Sequence, residues 1–185
     1  MKRLILMGPI GCGKSTMIQT ALGQDISRAG GFLTVRKLDG TQLLGFDLTA
    51  PTIPQNGHRF LDFENGAVRN DRVFSDFGIK YLQTPAPFAV ADEFGGMELL
   101  VDDFYNQLMA FLRSDVPCIG VFKTEDAAAA MAEKVPLGDL YSQRYQALLQ
   151  TLKNDPETTL LSTCGWQDTA AVSAIAQWVN QYVRR

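Results

Sequence analysis

The sequence has few of the residues that mark zinc sites, disulfide frameworks and metal clusters. Its 185 residues include one histidine, His58, and three cysteines, Cys12, Cys118 and Cys164. The cysteines are far apart, odd in number and form no CxxC or Cys/His cluster, which excludes the spacing patterns of a zinc site and of a disulfide framework. We therefore expect reduced thiols and a cytoplasmic location.

Long apolar runs and basic clusters are also missing. No stretch approaches the ~20 apolar residues of a membrane span, and the apolar run that starts at Leu4 ends before Gly8, too early for a signal peptide. Lysine and arginine together number 17 against 20 acidic residues, which gives a net charge of −3. Without a basic run, the chain is not expected to have a nucleic acid as its main partner, and we expect no membrane partner.

A glycine-rich loop carries the strongest functional signal. Residues 8–15 read GPIGCGKS and fill every fixed position of the GxxxxGK[ST] phosphate loop, between an apolar run and a helix-forming run. Glycines let successive N–H groups surround an anion, and the following helix adds its positive N-terminal end. Lys14 is expected to reach the β and γ phosphates, and the Ser15 hydroxyl to bind Mg²⁺. The nucleotide-binding residues predicted here are Gly8, Pro9, Ile10, Gly11, Cys12, Gly13, Lys14, Ser15 and Thr16. Cys12 is expected to be a small apolar loop residue, with an oxidisable thiol as the alternative.

The order of predicted elements indicates an α/β fold in one domain over residues 1–185. A strand at about 3–7 leads into a helix at 14–23, and two hairpins are expected in a β-rich insertion at about 30–75. Strands and helices then alternate: strands at 88–92, 117–122 and 158–162, and helices at 99–113, within 127–133, within 141–153 and at about 168–183. This alternation predicts a mainly parallel sheet flanked by helices, with ligands at the C-terminal ends of the strands.

An acidic pair follows one of these strands. Asp92 and Glu93 come directly after four apolar residues, where a phosphate loop normally finds its partner carboxylate. Asp92 is expected to hold Mg²⁺ through its water shell, together with Ser15, and Glu93 to polarise a water that attacks the γ phosphate. Lys14 and Glu93 are therefore the predicted catalytic residues. A solvated strand end without a catalytic role is the alternative.

Two further motifs resemble those of a known family. Residues 31–36 read GFLTVR, with Gly45-Phe46 after the hairpin, and residues 92–99 read DEFGGMEL. With the phosphate loop, these resemble the thermophile-type nucleoside-triphosphatase family, which has a cancer-related human counterpart, over roughly residues 1–110. The resemblance implies a RecA-like P-loop NTPase core and Mg²⁺-dependent hydrolysis of ATP, GTP or other nucleoside triphosphates.

Two positions depart from this family's pattern. Lys123 follows the strand at 117–122 where a histidine is often found, and Cys164-Gly165-Trp166 follow the last strand where an Asn-Arg pair is typical. Lys123 or Thr124 is a candidate sensor of the γ phosphate, with a solvated strand-end charge as the alternative for Lys123. Trp166 is expected in the core rather than against a base.

Two other charged residues belong to the family motifs. Arg36 is a candidate nucleotide-binding residue if its hairpin folds over the triphosphate, and otherwise an exposed strand arginine. Glu98 is expected to be a helix-start charge with no further role.

Hydrolysis of nucleoside triphosphates to diphosphates, with broad base tolerance, is the leading prediction. A nucleoside or small-molecule kinase would use the same loop, but Arg144 is the only arginine between residues 114 and 183, which does not favour an arginine-bearing lid. A GTPase switch would match DxxG at residues 92–95, but Phe122 stands where its guanine-binding asparagine belongs. A nucleotide-dependent binding module for a protein partner stays open.

Overall fold

The structure is a computed structural model that describes residues 1–64, 66–134 and 137–184. The described residues form one sheet with the strand order β5-β4-β3-β2-β6-β7-β1-β8. The strands are β1 Arg3–Met7, β2 Gly30–Asp39, β3 Gln42–Thr49, β4 His58–Asp62, β5 Val68–Arg69, β6 Ala89–Phe94, β7 Cys118–Phe122 and β8 Thr158–Ser162.

The parallel part of the sheet consists of β2, β6, β7, β1 and β8. β1 lies between β7 and β8, and Leu4 is in register with Ile119 on one side and Thr159 on the other. Because these strands run in one direction, their C-terminal ends share one edge of the sheet. The predicted mainly parallel α/β sheet is therefore confirmed.

Helices connect and cover the parallel strands. They are α1 Lys14–Leu22, α2 Ile79–Gln83, α3 Asp102–Leu112, α4 Glu125–Lys134, α5 Gly138–Asn154 and α6 Thr169–Tyr182, with 3-10 turns at Gly23–Arg28 and Met97–Leu100 and a π-helical turn at Phe74–Gly78. None of these helices, within the described ranges, is long and apolar enough to cross a membrane.

Two apolar cores cover the sheet because side chains alternate along each strand. In β1, Leu4 and Leu6 pack into the core that α1 and α6 complete, whereas Ile5 packs into the core that α3 and α5 complete. A strand buried on both faces needs apolar residues at successive positions, which explains the continuous apolar run before the phosphate loop.

The antiparallel part of the sheet is the predicted hairpin-rich insertion. β2 pairs with β3, β3 with β4 and β4 with β5, all antiparallel. Gly40 has a φ of 57° at the turn between β2 and β3, a conformation that favours glycine. His58 begins β4, and its ring stacks on Phe77 with ring centroids 3.4 Å apart.

Three segments differ from the sequence prediction. No helix was expected at Phe74–Gln83, where a π-helical turn and α2 have five residues each, too few for a clear periodic pattern. β6 continues through Asp92 and Glu93 because Phe94 still pairs with Phe122 of β7. The helix expected at 99–113 is divided into the 3-10 turn Met97–Leu100 and α3.

Candidate functional site

The loop between β1 and α1 adopts a conformation that needs glycine. Gly8 and Gly13 have φ values of 153° and 94°. A Cβ at Gly8 would collide with the backbone oxygen of Thr163, and one at Gly13 would lie 3.2 Å from Trp166 Nε1. The backbone thus passes close to the segment after β8 before it enters α1, whose N-terminal N–H groups face an anion site.

Lys14 lies across this loop. Its side chain is buried, and Nζ donates hydrogen bonds to the backbone oxygens of Gly8, at 2.9 Å, and Pro9, at 2.7 Å. Nζ is also 3.6 Å from the Sγ of Cys12. The loop therefore holds the ammonium group at its centre, where phosphate oxygens would be bound.

Ser15 and Asp92 join α1 to β6. Ser15 Oγ donates a hydrogen bond of 2.6 Å to Asp92 Oδ1, and the Thr34 hydroxyl donates one of 3.1 Å to the Asp92 backbone oxygen. Burial raises the pKa of Asp92 to about 7; the hydrogen bond from Ser15 acts against this shift, and the charge of Glu93 adds to it. The negative charge of this carboxyl group is thus not fully compensated by the hydrogen bonds and charges around it.

The donor atoms at this point suit a hard divalent cation. Asp92 Oδ2 is buried and has no hydrogen-bond partner among the described residues, and it lies beside the Ser15 hydroxyl. The described residues contain no group of three or more His, Cys, Asp or Glu side chains that could hold a metal ion. A small oxygen set without a full protein cage fits Mg²⁺, which takes the rest of its ligands from phosphate and water.

Glu93 has an unusual backbone conformation. The register between β6 and β7 shifts between Ala91 and Phe94, and within this bulge Glu93 has a φ of 58°. This left-handed conformation costs about 1–3 kcal/mol for a residue with a side chain, and such bulges redirect side chains beside functional sites. Here Glu93 Oε1 lies 4.0 Å from Arg36 Nη2.

Glu98 supports the turn that follows Glu93. It is buried, and its Oε1 accepts hydrogen bonds from the N–H groups of Gly95, at 2.6 Å, and Gly96, at 2.8 Å. Tyr141 OH donates a hydrogen bond of 2.9 Å to the backbone oxygen of Gly95. Glu98 lies in the first turn of the 3-10 segment Met97–Leu100, as expected of a helix-start charge, but the expectation of no further role was wrong, because the carboxylate is enclosed by the turn that it stabilises.

A cavity of about 270 Å³ brings most of the predicted residues together. Arg36, on β2, reaches it with its side chain 42% exposed and its guanidinium 6.0 Å from the ring centroid of Phe46. The lining residues are Gly11, Gly13, Lys14, Ser15, Thr16, Thr34, Arg36 and Glu93. Arg36 is thus directed to the same cavity as the phosphate loop.

Lys123 belongs to an adjoining cavity of about 110 Å³. It is half-buried directly after β7, and its backbone oxygen accepts a hydrogen bond of 2.8 Å from Tyr145. The lining residues are Gly8, Ile10, Lys14, Arg36, Phe46, Glu93, Val121, Phe122, Lys123, Thr124 and Ala127. The two cavities share Lys14, Arg36 and Glu93, so they meet where the γ phosphate is predicted.

Some loop residues enter the site indirectly. Pro9 and Cys12 contact Lys14 rather than lining the two cavities described, whereas Ile10, 70% exposed, lines the smaller one. Thr34 and Phe46 lie at the site although no role was predicted for them; both belong to the family motifs, which was the available signal.

Trp166 is not in the core, contrary to the sequence prediction. It is 50% exposed beside Gly13, whereas Trp178, on α6, is fully buried against the sheet. The short segment between β8 and α6 is fixed against the phosphate loop and leaves this indole outside the apolar layer.

Comparisons with known proteins agree with this fold. A family model described as NTPase matches residues 3–146. The solution structure of a human cancer-related nucleoside triphosphatase is similar over 97% of this chain and 97% of that chain, with a TM-score of 0.68 and 19% identity. The crystal structure of THEP1 from the hyperthermophile Aquifex aeolicus is similar over 99% of each chain, with a TM-score of 0.60 and 17% identity.

At these identities the two structures show a shared fold. No curated protein matches the sequence. The family model, however, covers well over half of the chain and includes the phosphate loop, the hairpin motif and the acidic pair. This protein therefore belongs to the NTPase family, the thermophile-type and human cancer-related nucleoside triphosphatases that its motifs resemble.

Proposed function

We propose that the protein hydrolyses nucleoside triphosphates to diphosphates and phosphate, with Mg²⁺ as cofactor. The observation that carries this proposal is one cavity lined by Lys14, Ser15 and Glu93, with Asp92 hydrogen-bonded to Ser15 behind it. A phosphate-binding loop and a carboxylate aimed at the same space provide both substrate binding and water activation.

The phosphate loop binds and orients the triphosphate. Loop N–H groups and those at the N-terminus of α1 donate hydrogen bonds to the phosphate oxygens, and Lys14 neutralises charge on the β,γ-bridging and γ oxygens. Ser15 and Asp92 hold the Mg²⁺, Asp92 through the water shell of the metal. When bound, Mg²⁺ supplies positive charge to the phosphate oxygens as the leaving diphosphate forms.

Glu93 acts on the attacking water. Its carboxylate accepts a proton from the water while the water oxygen bonds to the γ phosphorus and the bond to the β,γ-bridging oxygen breaks. The bulge in β6 favours this role because it directs the side chain into the cavity instead of into the sheet. Arg36, 4.0 Å from Glu93, stabilises negative charge on the γ phosphate.

The proposal also covers base tolerance, domain organisation and location. Broad base tolerance is proposed because the cavity is lined by phosphate-loop residues and charged side chains, which suit phosphates rather than base edges. We also propose that residues 1–185 form one domain, because β8 pairs with β1 and joins the segment after residue 146 to the parallel sheet. A cytoplasmic location and reduced cysteines complete the proposal.

A phosphate-release panel tests the function directly. Purified protein is assayed with ATP, GTP, CTP and UTP in the presence and absence of Mg²⁺, with Lys14→Ala and Glu93→Gln as variants. We expect Mg²⁺-dependent release from several substrates, no binding or turnover by Lys14→Ala, and nucleotide binding without turnover by Glu93→Gln. Full activity of Glu93→Gln would refute its role, and transfer of phosphate to an added acceptor instead of water would favour a kinase.

A further inference from the structure

An exposed tryptophan lies at the border of the phosphate cavity. Trp166 is 50% exposed, and its Nε1 and Cδ1 are 3.2 and 3.3 Å from the position that a Cβ would take on Gly13. Gly13 itself lines the 270 Å³ cavity. Folding would favour burial of such a large apolar ring, so an indole left half in water beside a ligand cavity is available for a planar ligand.

The segment that carries this ring is firmly attached to the phosphate loop. Thr163 N–H donates a hydrogen bond of 2.8 Å to the Met7 backbone oxygen, and Gly165 N–H donates one of 3.1 Å to the Thr163 hydroxyl. A Cβ at Gly165 would collide with the backbone oxygen of Cys12. The indole is therefore presented from a fixed support, which lowers the entropic cost of binding a ligand.

The strand order gives the direction in which a nucleotide would lie. The phosphate loop follows β1, and the groups proposed to act on the γ phosphate, Glu93 and Arg36, lie on β6 and β2 on one side of it. Trp166 follows β8, on the other side of β1. A triphosphate with its γ end towards β6 directs its nucleoside towards β8, where Trp166 stands.

We infer that Trp166 is the stacking platform for the nucleotide base and that the site takes purine nucleotides in preference to pyrimidine nucleotides, with little discrimination between adenine and guanine. This inference rests on the proposed function, since it requires a nucleotide at the phosphate loop. Stacking recognises the flat face that every base presents, and its strength increases with the area of the ring. The nearby Asp168 carboxylate accepts the hydrogen bond of Ala171 N–H at the start of α6. Because it is occupied as a helix cap, it is not available to distinguish adenine from guanine.

The two tryptophans of the chain make a sensitive binding test. Trp178 is fully buried, donates a hydrogen bond of 3.1 Å to the Lys2 backbone oxygen and packs edge-to-face on Phe88, so its fluorescence is insulated from the cavity. Wild type, Trp166→Phe and Trp166→Ala are titrated with Mg·ADP, Mg·GDP, Mg·CDP and Mg·tripolyphosphate by calorimetry and by tryptophan fluorescence. Cys164→Ser, an exposed change on the same segment, is the matched control.

The inference predicts a loss that depends on the base. Trp166→Ala should bind Mg·ADP and Mg·GDP about 5- to 100-fold more weakly than wild type, while binding of tripolyphosphate is unchanged. Trp166→Phe should keep most of the affinity, and Cys164→Ser all of it. Nucleotide should change the fluorescence of wild type but not that of Trp166→Phe, which retains only Trp178.

Other outcomes overturn the inference. The inference is wrong if wild type does not bind Mg·ADP, or if Trp166→Ala binds Mg·ADP as tightly as wild type does. An equal loss of affinity for Mg·ADP and for tripolyphosphate in Trp166→Ala would also overturn it, because it would indicate a purely structural role. A wild type that binds Mg·ADP through Trp166 but releases no phosphate from triphosphates would instead refute the proposed hydrolysis and leave the base platform intact.

Discussion

Ser15 Oγ donates a 2.6 Å hydrogen bond to Asp92 Oδ1 and so joins the start of α1 to a strand 77 residues further along the chain. The hydroxyl satisfies one carboxylate oxygen, while the buried Oδ2 has no partner within the described part of the chain. Asp92 is thus suited to a cation rather than to the stability of the fold, since a buried carboxylate without full compensation is costly.

Asp92→Asn should separate the role of Asp92 in binding a cation from its effect on the stability of the fold. The amide oxygen can still accept the hydrogen bond of Ser15, but the charge that we propose attracts Mg²⁺ is lost. We expect phosphate release to fall at least about 100-fold. The free energy of unfolding in the absence of metal should stay the same or rise, because a neutral amide is less costly to bury than a carboxylate. Phosphate release and denaturant unfolding measure the two effects.

Asp47→Asn is the matched control for this variant. Asp47 is also buried, but it accepts a hydrogen bond of 2.6 Å from Arg59 Nε and lies 3.4 Å from Lys37 Nζ. Loss of its charge should destabilise the protein by about 1–3 kcal/mol, since the ion pairs are broken. Greater destabilisation by Asp92→Asn than by Asp47→Asn would contradict our interpretation of Asp92.

The left-handed backbone of Glu93 gives a second prediction. At a φ of 58°, alanine retains the steric cost of a Cβ, whereas glycine does not. Glu93→Gly should therefore be more stable than Glu93→Ala by about 1 kcal/mol in denaturant unfolding, although both variants should be inactive. At Gln42, in β3 and without a positive φ, the order should reverse. Equal stability of the two Glu93 variants would show that the bulge relaxes without strain.

Sequence alone predicted the parts of the site that depend on local spacing. The glycines and Lys14 act within a single loop, and Asp92 is reached from the chemistry that such a loop requires. Glu98 and Trp166 were misjudged because their surroundings are tertiary. Glu98 is enclosed by the turn that follows the bulge in β6, and Trp166 is kept out of the core by the contact between its segment and the phosphate loop.

The fold was predicted on the same terms. The central parallel strands β1 and β7 are buried on both faces and appear as apolar runs, and Asp39-Gly40 marks the first hairpin at the observed turn. The helical segment Phe74–Gln83 was missed because its sequence has little periodicity. It also contains Gly78, a residue that does not favour a helix, because the Phe104 ring that packs there leaves no room for a Cβ.

Arg36 should affect the triphosphate more than the diphosphate. Its guanidinium lies 4.0 Å from Glu93 at the predicted γ end of the cavity. Arg36→Ala should lower kcat about 10³-fold or more if it acts as a γ-phosphate arginine, with little change in the affinity for Mg·ADP. Arg36→Lys should recover only part of the rate, because an ammonium cannot bind two oxygens in a plane. Arg28→Ala, at an exposed ion pair with Asp25, is the control. An equal loss of ADP affinity would indicate a different position for Arg36.

Lys123 gives an independent test of the adjoining cavity. Its position there, with Lys14 and Glu93, predicts an interaction with the γ phosphate. Lys123→Met keeps the apolar stem and removes the charge, so kcat should fall about tenfold or more while affinity for Mg·ADP changes little. Lys37→Met, which removes a half-exposed lysine from the same sheet, should leave kcat near that of wild type. A normal kcat for Lys123→Met would indicate that Lys123 is only a solvated charge at the end of the strand.

Glu98 predicts a pH dependence of stability. Burial raises the pKa of Glu98 above its ordinary value of 4.5, and hydrogen bonds from Gly95 and Gly96 and the charge of Lys123 act against that shift. The folded state therefore binds the proton of Glu98 more tightly than the unfolded chain does. The stability gained from this group is complete below pH 4.5 and is lost as the pH rises through the folded-state pKa.

This prediction is tested by comparing wild type with Glu98→Gln, because glutamine stays neutral at every pH. The free energy of unfolding of wild type minus that of Glu98→Gln should fall as the pH rises from 4.5 towards neutrality. The same difference in a Lys123→Met background should continue to fall to a higher pH, since the charge that lowers the pKa of Glu98 is gone. A difference that rises with pH would mean that the two N–H groups of the turn stabilise the carboxylate more than burial destabilises it.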